Sequence, residues 1–340
     1  MLKRVLLALL CLLVMGAVLA LQLQQRWQQP LAIEEAGYPL TVTAGETLSA
    51  IALRLERDGV YPHPWLIRLY GRWSGLDQQV KRGEYLVPAG TTPVALLRLL
   101  QEGKVISYQV TLPEGITLAR AIEILGQQPI LEQVLDGVED PRLAALTAGY
   151  PGYEGLFFPD SYHYERGASD WDILQRAYQA MQSMLQEEWA GRAEDLPYEH
   201  PYDALIMASI VERETGLPEE RGEIAGVFVR RLQKNMRLQT DPTVIYGLGT
   251  EYQGNLRRIH LRDDSNPYNT YRHKGLPPTP IALPGRAALH AALHPQAGET
   301  LYFVARGDGG HQFSRTLAEH ERAVRKYQLN RRQDYRSTPE

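Results

Sequence analysis

A run of residues without a charge near the start of the chain limits most strongly what this sequence can become. Residues 5–21 are uncharged and mostly apolar, and as a helix they span about 26 Å, close to the roughly 30 Å of a bilayer core. Lys3 and Arg4 precede the run, and Trp27 follows it where an interfacial aromatic is expected. The run predicts a single transmembrane helix with a cytoplasmic N-terminus and an extracytoplasmic body; in a cell with two membranes this corresponds to the inner membrane and a periplasmic body. A signal peptide cleaved after Ala20 is the alternative.

Composition describes the rest of the chain as an ordinary globular protein. Of 340 residues, 44% are hydrophobic and 22% are charged, which excludes a disordered chain and a many-pass membrane protein. The formal net charge of −4 gives no basic field for nucleic acid, so no nucleic-acid partner is expected. The single cysteine, Cys11, lies in the apolar run, so neither an intrachain disulfide nor a cysteine-based zinc site can form.

A short phrase recurs three times after the apolar run, at 41–55, 86–100 and 110–122. Each copy predicts a strand, a glycine turn, a threonine at a helix N-cap and an amphipathic helix. Residues 41–88 as a whole resemble a LysM module, a small βααβ unit that binds glycans containing N-acetylglucosamine. A βααβ packing unit without a sugar site is the alternative.

These patterns predict an α+β protein with one N-terminal transmembrane helix, a small LysM-like module and a mixed α/β catalytic domain. The expected segments are a cytoplasmic start and anchor at 1–22, a polar linker at 23–38, the LysM-like module at 39–104, the catalytic domain at 105–330 and a polar tail at 331–340.

The strongest candidate for chemistry is a glutamate at the end of an apolar helix. Residues 204–211 are apolar nearly all round, which is typical of a buried helix, and Glu212 follows on the face that carries Leu205. Burial and the negative end of a helix both raise a carboxyl pKa, as a general acid requires. Glu214 points elsewhere at about 100° per residue. The alternative is a salt bridge from Glu212 to a neighbouring arginine such as Arg221.

Other catalytic patterns are missing from the sequence. It contains no His-Glu-x-x-His zinc motif, no Gly-x-Ser-x-Gly and no phosphate-binding glycine loop. His290 and His294 have a spacing that can hold a metal, but no carboxylate accompanies them in the sequence and Pro295 follows at once. Packing at a helix end is the favoured interpretation, so no metal site is predicted.

An ordered series of motifs resembles the MltG (YceG-like) family of endolytic murein transglycosylases. The series consists of Glu154–Tyr162, Ala208–Thr215, Glu220-Arg221, Met236–Gly247, Tyr268–Tyr271, Gly275–Pro278, Ile281–Gly285 and Tyr302–Val304 followed by Gly309–Phe313. The resemblance covers the anchor, the LysM-like segment and nearly all of the remainder.

The resemblance implies that Glu212 is the catalytic acid of a non-hydrolytic cleavage. The enzyme would cut the β-1,4 bond between N-acetylmuramic acid and N-acetylglucosamine and leave 1,6-anhydro ends. One carboxylate is then enough, because no water has to be activated by a second one. The implied substrate is the glycan strand of peptidoglycan, with peptidoglycan synthases as possible partners and no cofactor.

Weaker expectations concern residues that contact the glycan. The candidates are Glu220, Gln239, Asp241, Tyr246, Tyr268, Asn269 and Tyr271, each with ordinary packing or surface pairing as the alternative. Two other functions stay open: a wall-binding scaffold that has lost activity, and a hydrolytic muramidase. Hydrolysis would require a second carboxylate near Glu212, for which Glu220 and Asp241 are the candidates.

Overall fold

The computed structural model describes residues 2–329, and the predicted polar tail at 331–340 lies outside them. The chain forms two compact units. Unit 1 comprises the chain up to Tyr108 together with His163–Gly167, and unit 2 comprises Gln109–Tyr162 and the chain from Ala168 onward.

Unit 1 begins with a long helix, α1, at Leu2–Gln28. Within the described part of the chain, the segment Leu9–Gln28 of α1 is the one that is long and apolar enough to cross a membrane by length and composition. The helix continues beyond the uncharged run, and Trp27 packs edge-on against Tyr70 with 4.9 Å between ring centroids. The end of α1 therefore packs against the folded part of unit 1.

The remainder of unit 1 has the predicted βααβ order. Its elements are β1 at Tyr38–Val42, α2 at Leu48–Arg57, α3 at Pro64–Ser74, β2 at Gly83–Val87 and a following helix α4 at Pro93–Glu102. Strands β1 and β2 are antiparallel, with Leu40 opposite Tyr85. The order of elements is confirmed, while glycan binding by this unit stays a prediction.

The repeated phrase begins a helix in the same way each time. Thr47, Thr92 and Thr117 are the N-cap residues of α2, α4 and α5, and each threonine oxygen accepts a hydrogen bond from the backbone N–H three residues later. These bonds satisfy donors that the first turn of a helix leaves without partners. The predicted threonine caps are therefore confirmed.

Unit 2 is helical, with small sheets. Its helices are α5 at Leu118–Gly126, α6 at Pro141–Leu146, α7 at Asp170–Ala190, α8 at Pro201–Glu214, α9 at Arg221–Gln233, α10 at Asp241–Leu248, α11 at Arg258–Arg262, α12 at Arg286–Leu293 and α13 at Leu317–Val324. Helix α12 packs against α7, α8 and α9. Strands β3 at Tyr108–Thr111 and β4 at Ser161–Tyr164 form a two-stranded sheet, of which Tyr108, His163 and Tyr164 are assigned to unit 1. Strand β5 at Tyr302–Ala305 pairs with β6 at His311–Ser314 within unit 2. The mixed α+β class is confirmed.

Candidate active site

Helix α8 carries the predicted catalytic carboxyl out of the core of unit 2. Residues 204–211 are all buried, as expected of an apolar helix. Pro201 begins the helix, where the missing N–H costs nothing, and Asp203 accepts hydrogen bonds from two backbone N–H groups that precede it. The buried stretch ends at Val211. The carboxyls of Glu212 and Glu214, which follow it, therefore contact residues outside α8.

Glu212 is enclosed at the end of α8. Its side chain is only 6% exposed. The backbone N–H of Gly285 donates a hydrogen bond of 3.0 Å to Oε2, and Nη2 of Arg221 lies 3.6 Å from Oε1. Burial raises the pKa of the Glu212 carboxyl above its ordinary value and Glu114 adds to the rise, while the Gly285 N–H and Arg221 act in the opposite direction.

The loop that supplies the Gly285 N–H is fixed from two sides. Ser209 on α8 accepts a 3.0 Å hydrogen bond from the N–H of Ile281. Leu283 exchanges backbone hydrogen bonds with the segment 115–116, at 2.7 and 2.8 Å. A Cβ at Gly285 would collide with the carboxylate of Glu114. A larger residue at 285 would therefore have to displace the flexible side chain of Glu114.

Glu214 points in another direction, as the helical geometry predicts. Its Oε1 accepts a hydrogen bond from the hydroxyl of Thr240. Burial raises the pKa of Glu214 to about 7, and the negative charge of Asp241 adds to the rise, while Thr240 and Arg231 oppose it. Helix α8 thus carries two carboxyls whose pKa values are both raised, and they have different partners.

A groove of about 1030 Å³ runs past the end of α8. Its lining residues include Gly115, Arg213, Glu214, Gln239, Asp241, Tyr246, Tyr271 and His311. Glu212 lies directly behind this wall, because a Cβ on Gly115 would be 3.7 Å from Cγ of Glu212. Gly115 has a φ of +76°, a conformation that favours glycine. Its volume is at the upper end of the range of about 300–1,000 Å³ that is typical of ligand sites.

Four of the predicted glycan-contacting residues line this groove. Tyr271 donates a 2.7 Å hydrogen bond from its hydroxyl to Oδ1 of Asp241. Gln239 has a φ of +54°, unusual for a residue other than glycine, and its N–H donates to the carbonyl of Thr270 at 3.2 Å. The fourth is Tyr246. The structure therefore brings side chains of the motif Met236–Gly247 together with Tyr271 of the motif Tyr268–Tyr271.

Tyr246 also connects the groove to a buried carboxyl behind it. Its hydroxyl donates a 3.3 Å hydrogen bond to Oε2 of Glu154, and its ring lies edge-on to Tyr268, with 4.9 Å between centroids. The N–H of Leu118 donates to Oε1 of Glu154 at 2.9 Å. Burial raises the pKa of Glu154 to about 7. Tyr268 is not among the groove-lining residues, and its hydroxyl is hydrogen-bonded to Thr279 at 2.8 Å.

Asn269 is fully buried and holds a loop. Its Nδ2 donates to the carbonyls of His260 and Asp263 at 3.0 and 2.7 Å, and its Oδ1 accepts from the N–H of Tyr271 at 3.1 Å. Both the nitrogen and the oxygen of the side-chain amide are thus hydrogen-bonded to backbone groups. In this structure Asn269 positions the groove residue Tyr271.

Glu220, another predicted contact residue, is paired with a histidine that the sequence analysis did not single out. One carboxylate oxygen accepts the backbone N–H of His311 at 2.8 Å, and the other lies 2.7 Å from Nδ1 of the same residue. His311 is 7% exposed and lines the groove. A Cβ at Gly310 would lie 3.0 Å from Glu220 Oε1, so glycine permits the approach.

The sequence model of the YceG-like family matches residues 40–326. The chain belongs to this family. A Bacillus subtilis (strain 168) protein named endolytic murein transglycosylase is 30% identical over 307 residues, which cover 85% of this chain and 84% of that protein. A protein of the same name from Streptococcus pneumoniae (serotype 2, strain D39) is 26% identical over 83% of this chain, and this chain spans 57% of its length.

A solved structure supports the YceG-like fold. The crystal structure of a YceG-like protein from Listeria monocytogenes superposes with a TM-score of 0.55 at 29% sequence identity. The match covers 85% of this chain and 99% of that chain. All residues of the site described above lie within the stretch that matches the YceG-like family.

The YceG-like chain also has a cluster of possible metal ligands away from the groove. Glu188 of α7 joins His290 and His294, with one ligand atom of each within 4.8 Å of the others. Glu188 already accepts hydrogen bonds from Arg286 at 3.0 Å and is paired with Nδ1 of His290 at 2.8 Å. The sequence around His290 and His294 offers no carboxylate at a metal-binding spacing. In the structure Glu188 of α7 supplies one, and it is hydrogen-bonded to side chains of α12.

Proposed function

We propose that this YceG-like protein is a membrane-anchored lytic transglycosylase that cuts within the glycan strands of peptidoglycan. The bond cleaved is the β-1,4 bond from N-acetylmuramic acid to N-acetylglucosamine, and the product carries a 1,6-anhydro end. The observation that carries the proposal is Glu212, a nearly buried carboxyl with a raised pKa, held by the Gly285 N–H beside a groove of about 1030 Å³. The names of the Bacillus and Streptococcus relatives agree with it.

In the proposed reaction, Glu212 acts first as an acid and then as a base. Its proton passes to the glycosidic oxygen as the bond from C1 of the muramic residue to that oxygen breaks. The acetamido group of the same sugar stabilises the positive charge at C1. The C6 hydroxyl oxygen then bonds to C1, and its proton returns to Glu212. The carboxyl therefore ends the cycle as it began, and water takes no part.

Hydrolysis would need a second carboxylate to activate water. The two candidates, Glu220 and Asp241, each have a side-chain partner: His311 for the first and Tyr271 for the second. These partners favour positioning roles over activation of water. Glu114 is a third carboxylate near Glu212, because Nη2 of Arg221 lies 4.0 Å from Oε2 of Glu114 and 3.6 Å from Oε1 of Glu212. The ends of the cleaved strands therefore decide between the non-hydrolytic and the hydrolytic reaction.

Helix α1 is the proposed anchor. Its length and apolar composition support a single crossing of the membrane, and Lys3 and Arg4 support a cytoplasmic N-terminus. The groove would then lie in the periplasm, the compartment in which new glycan strands emerge. Termination of nascent strands beside the synthases is the cellular role that follows.

Two glutamates on the same helix allow a sharp test. Glu212→Gln and Glu214→Gln each remove one carboxyl whose pKa is raised, so each is the matched control for the other. Full-length protein in detergent is incubated with purified glycan strands, and the ends are analysed by mass spectrometry. We expect 1,6-anhydro ends from the native chain and a loss of roughly 100- to 10,000-fold in Glu212→Gln. Glu214→Gln should keep most of the activity.

Three outcomes would contradict the proposal. Reducing ends in place of anhydro ends would identify a hydrolase. Activity lost in Glu214→Gln and kept in Glu212→Gln would move the acid to the other carboxyl. Glycan binding without any cleavage by the native chain would identify a scaffold.

A further inference from the structure

One face of helix α3 in unit 1 carries large apolar side chains in water. Trp65, Leu69 and Trp73, here called the α3 stripe, are 44%, 62% and 81% exposed. Their spacing of four residues places them in one row along the helix. The opposite side of α3 is packed, since Leu66 and Ile67 are buried in the core of unit 1. Because Leu66 and Ile67 already attach α3 to the core of unit 1, the side chains of the stripe are not needed for that packing.

The charges that α3 itself carries are all positive. Arg68 and Arg72 are exposed on the same side of α3, and the helix contains no acidic residue. Among the described residues neither arginine takes part in an ion pair. Tryptophan, leucine and arginine on one helical face are the composition of surfaces that lie at a bilayer interface with anionic headgroups. A sugar-binding face would instead be expected to offer carboxylates or amides beside its aromatic rings.

The stripe is also continuous with the end of the membrane-anchor candidate. Trp27, near the end of α1, contacts the ring of Tyr70 at 4.9 Å, and Tyr70 in turn lies 5.8 Å from Trp73. Three aromatic rings thus lead from α1 to the stripe within unit 1. If α1 crosses the bilayer, Trp27 lies at the interface, and α3 lies at the same level.

We propose that the α3 stripe inserts into the outer leaflet of the membrane that α1 spans, with Arg68 and Arg72 at the lipid phosphates. Unit 1 would then have two attachments, one through the bilayer and one along its surface. The second attachment fixes the tilt of unit 1 relative to the membrane surface, because a single helix alone allows the unit to tilt. This inference rests on the proposed anchor, and it is independent of the reaction at Glu212.

Site-directed spin labels on the full chain test the inference. In a Cys11→Ser background, single cysteines replace Leu69 in the stripe, Leu86 on β2 and Leu13 in α1, which are 62%, 52% and 72% exposed. The protein is reconstituted into vesicles of phosphatidylcholine and phosphatidylglycerol. Collision rates with oxygen, which concentrates in lipid, and with a water-soluble nickel chelate then report the depth of each label.

We expect lipid exposure at positions 13 and 69 and water exposure at position 86, which is the matched control. Replacing Arg68 and Arg72 by glutamate should move the label at 69 toward water. A label at 69 that stays in water while the label at 13 is in lipid would overturn the α3 proposal and leave the anchor intact. Water exposure at both 13 and 69 would overturn the anchor and the stripe together. If the label at 69 is shielded only when glycan strands are added, the partner of the α3 stripe is a sugar and not the membrane. If the shielding rises with protein concentration, the partner is a second copy of the chain.

Discussion

Unit 1 buries apolar and aromatic side chains and leaves others of the same kind exposed, whereas unit 2 buries carboxyls, hydroxyls and an arginine. The core of unit 1 is a cluster of residues such as Ile51 and Leu55. Among the described residues, every buried side chain with a polar or charged group other than a tyrosine hydroxyl belongs to unit 2, including Glu154, Ser209 and Arg231. Folded proteins ordinarily bury apolar side chains and expose polar ones. Unit 1 departs from this rule by exposing apolar side chains, and unit 2 departs from it by burying polar ones.

Exposed apolar side chains and buried carboxyls both make the folded state less stable, and folding requires neither of them. An exposed apolar patch is stabilised only by something that covers it, and a buried carboxyl raises its own pKa instead of contributing a favourable charge. The departure in unit 1 therefore indicates a surface partner, and the departure in unit 2 indicates chemistry. The same contrast predicts which substitutions affect folding and which affect function.

The largest effect on stability is expected inside unit 1. Leu55 is fully buried on α2, and Leu55→Ala should lower the free energy of unfolding of unit 1 by about 2–5 kcal/mol because it removes apolar contacts and leaves a cavity. Leu69→Ala deletes the same atoms from the exposed stripe and should change it by less than about 0.5 kcal/mol. Amide hydrogen exchange in peptides from α2 and β1 measures both. Equal losses would show that Leu69 belongs to the core and would remove the contrast within unit 1.

Local sequence patterns predicted the parts of this fold that depend on near neighbours. The threonine caps at 47, 92 and 117 follow from bonds to residues only three positions away, and the all-apolar stretch 204–211 identified the buried helix. The opposite directions of Glu212 and Glu214 follow from helical geometry alone.

The remaining contacts of the site depend on residues far apart in the chain. Gly285 lies 73 residues from Glu212, His311 lies 91 residues from Glu220, and His290 lies 102 residues from Glu188. No period or motif specifies such distances, because they are set when the helices pack. His311 could have been suspected from its position after two glycines in the motif Gly309–Phe313.

Glu154 tests whether a buried carboxyl in unit 2 weakens the fold. Its pKa is raised to about 7, so the folded state binds the proton more tightly than the unfolded state does. Stability is then greatest below the ordinary carboxyl pKa and falls as pH rises through about 7, by as much as about 3 kcal/mol. Glu154→Gln should remove the share of the pH dependence that Glu154 contributes, leave the share of Glu214, whose pKa is also raised to about 7, and raise stability at pH 8. Its amide oxygen can still accept the hydrogen bond from Leu118.

Urea unfolding in detergent at pH 5 and pH 8 measures this effect. Glu139→Gln is a suitable control, because Glu139 also accepts a bond from a tyrosine but is not buried. A native chain equally stable at both pH values, or a Glu154→Gln variant that is less stable at pH 8, would contradict the prediction.

Ser209 tests whether the other buried polar groups of unit 2 support the chemistry or only the fold. Its hydroxyl donates to the carbonyl of Ile206 at 2.7 Å and accepts from the N–H of Ile281 at 3.0 Å. Ser209→Ala leaves that N–H buried without its acceptor, which should cost about 1–2 kcal/mol. Because the same loop brings the Gly285 N–H to Glu212, activity should fall by more than the loss of folded protein explains. Ser161→Ala, which removes an exposed hydroxyl bonded to Thr111, is the control. If Ser209→Ala lowers stability while each folded molecule keeps full activity, the loop does not depend on Ser209 for its position, and the buried hydroxyl serves the fold alone.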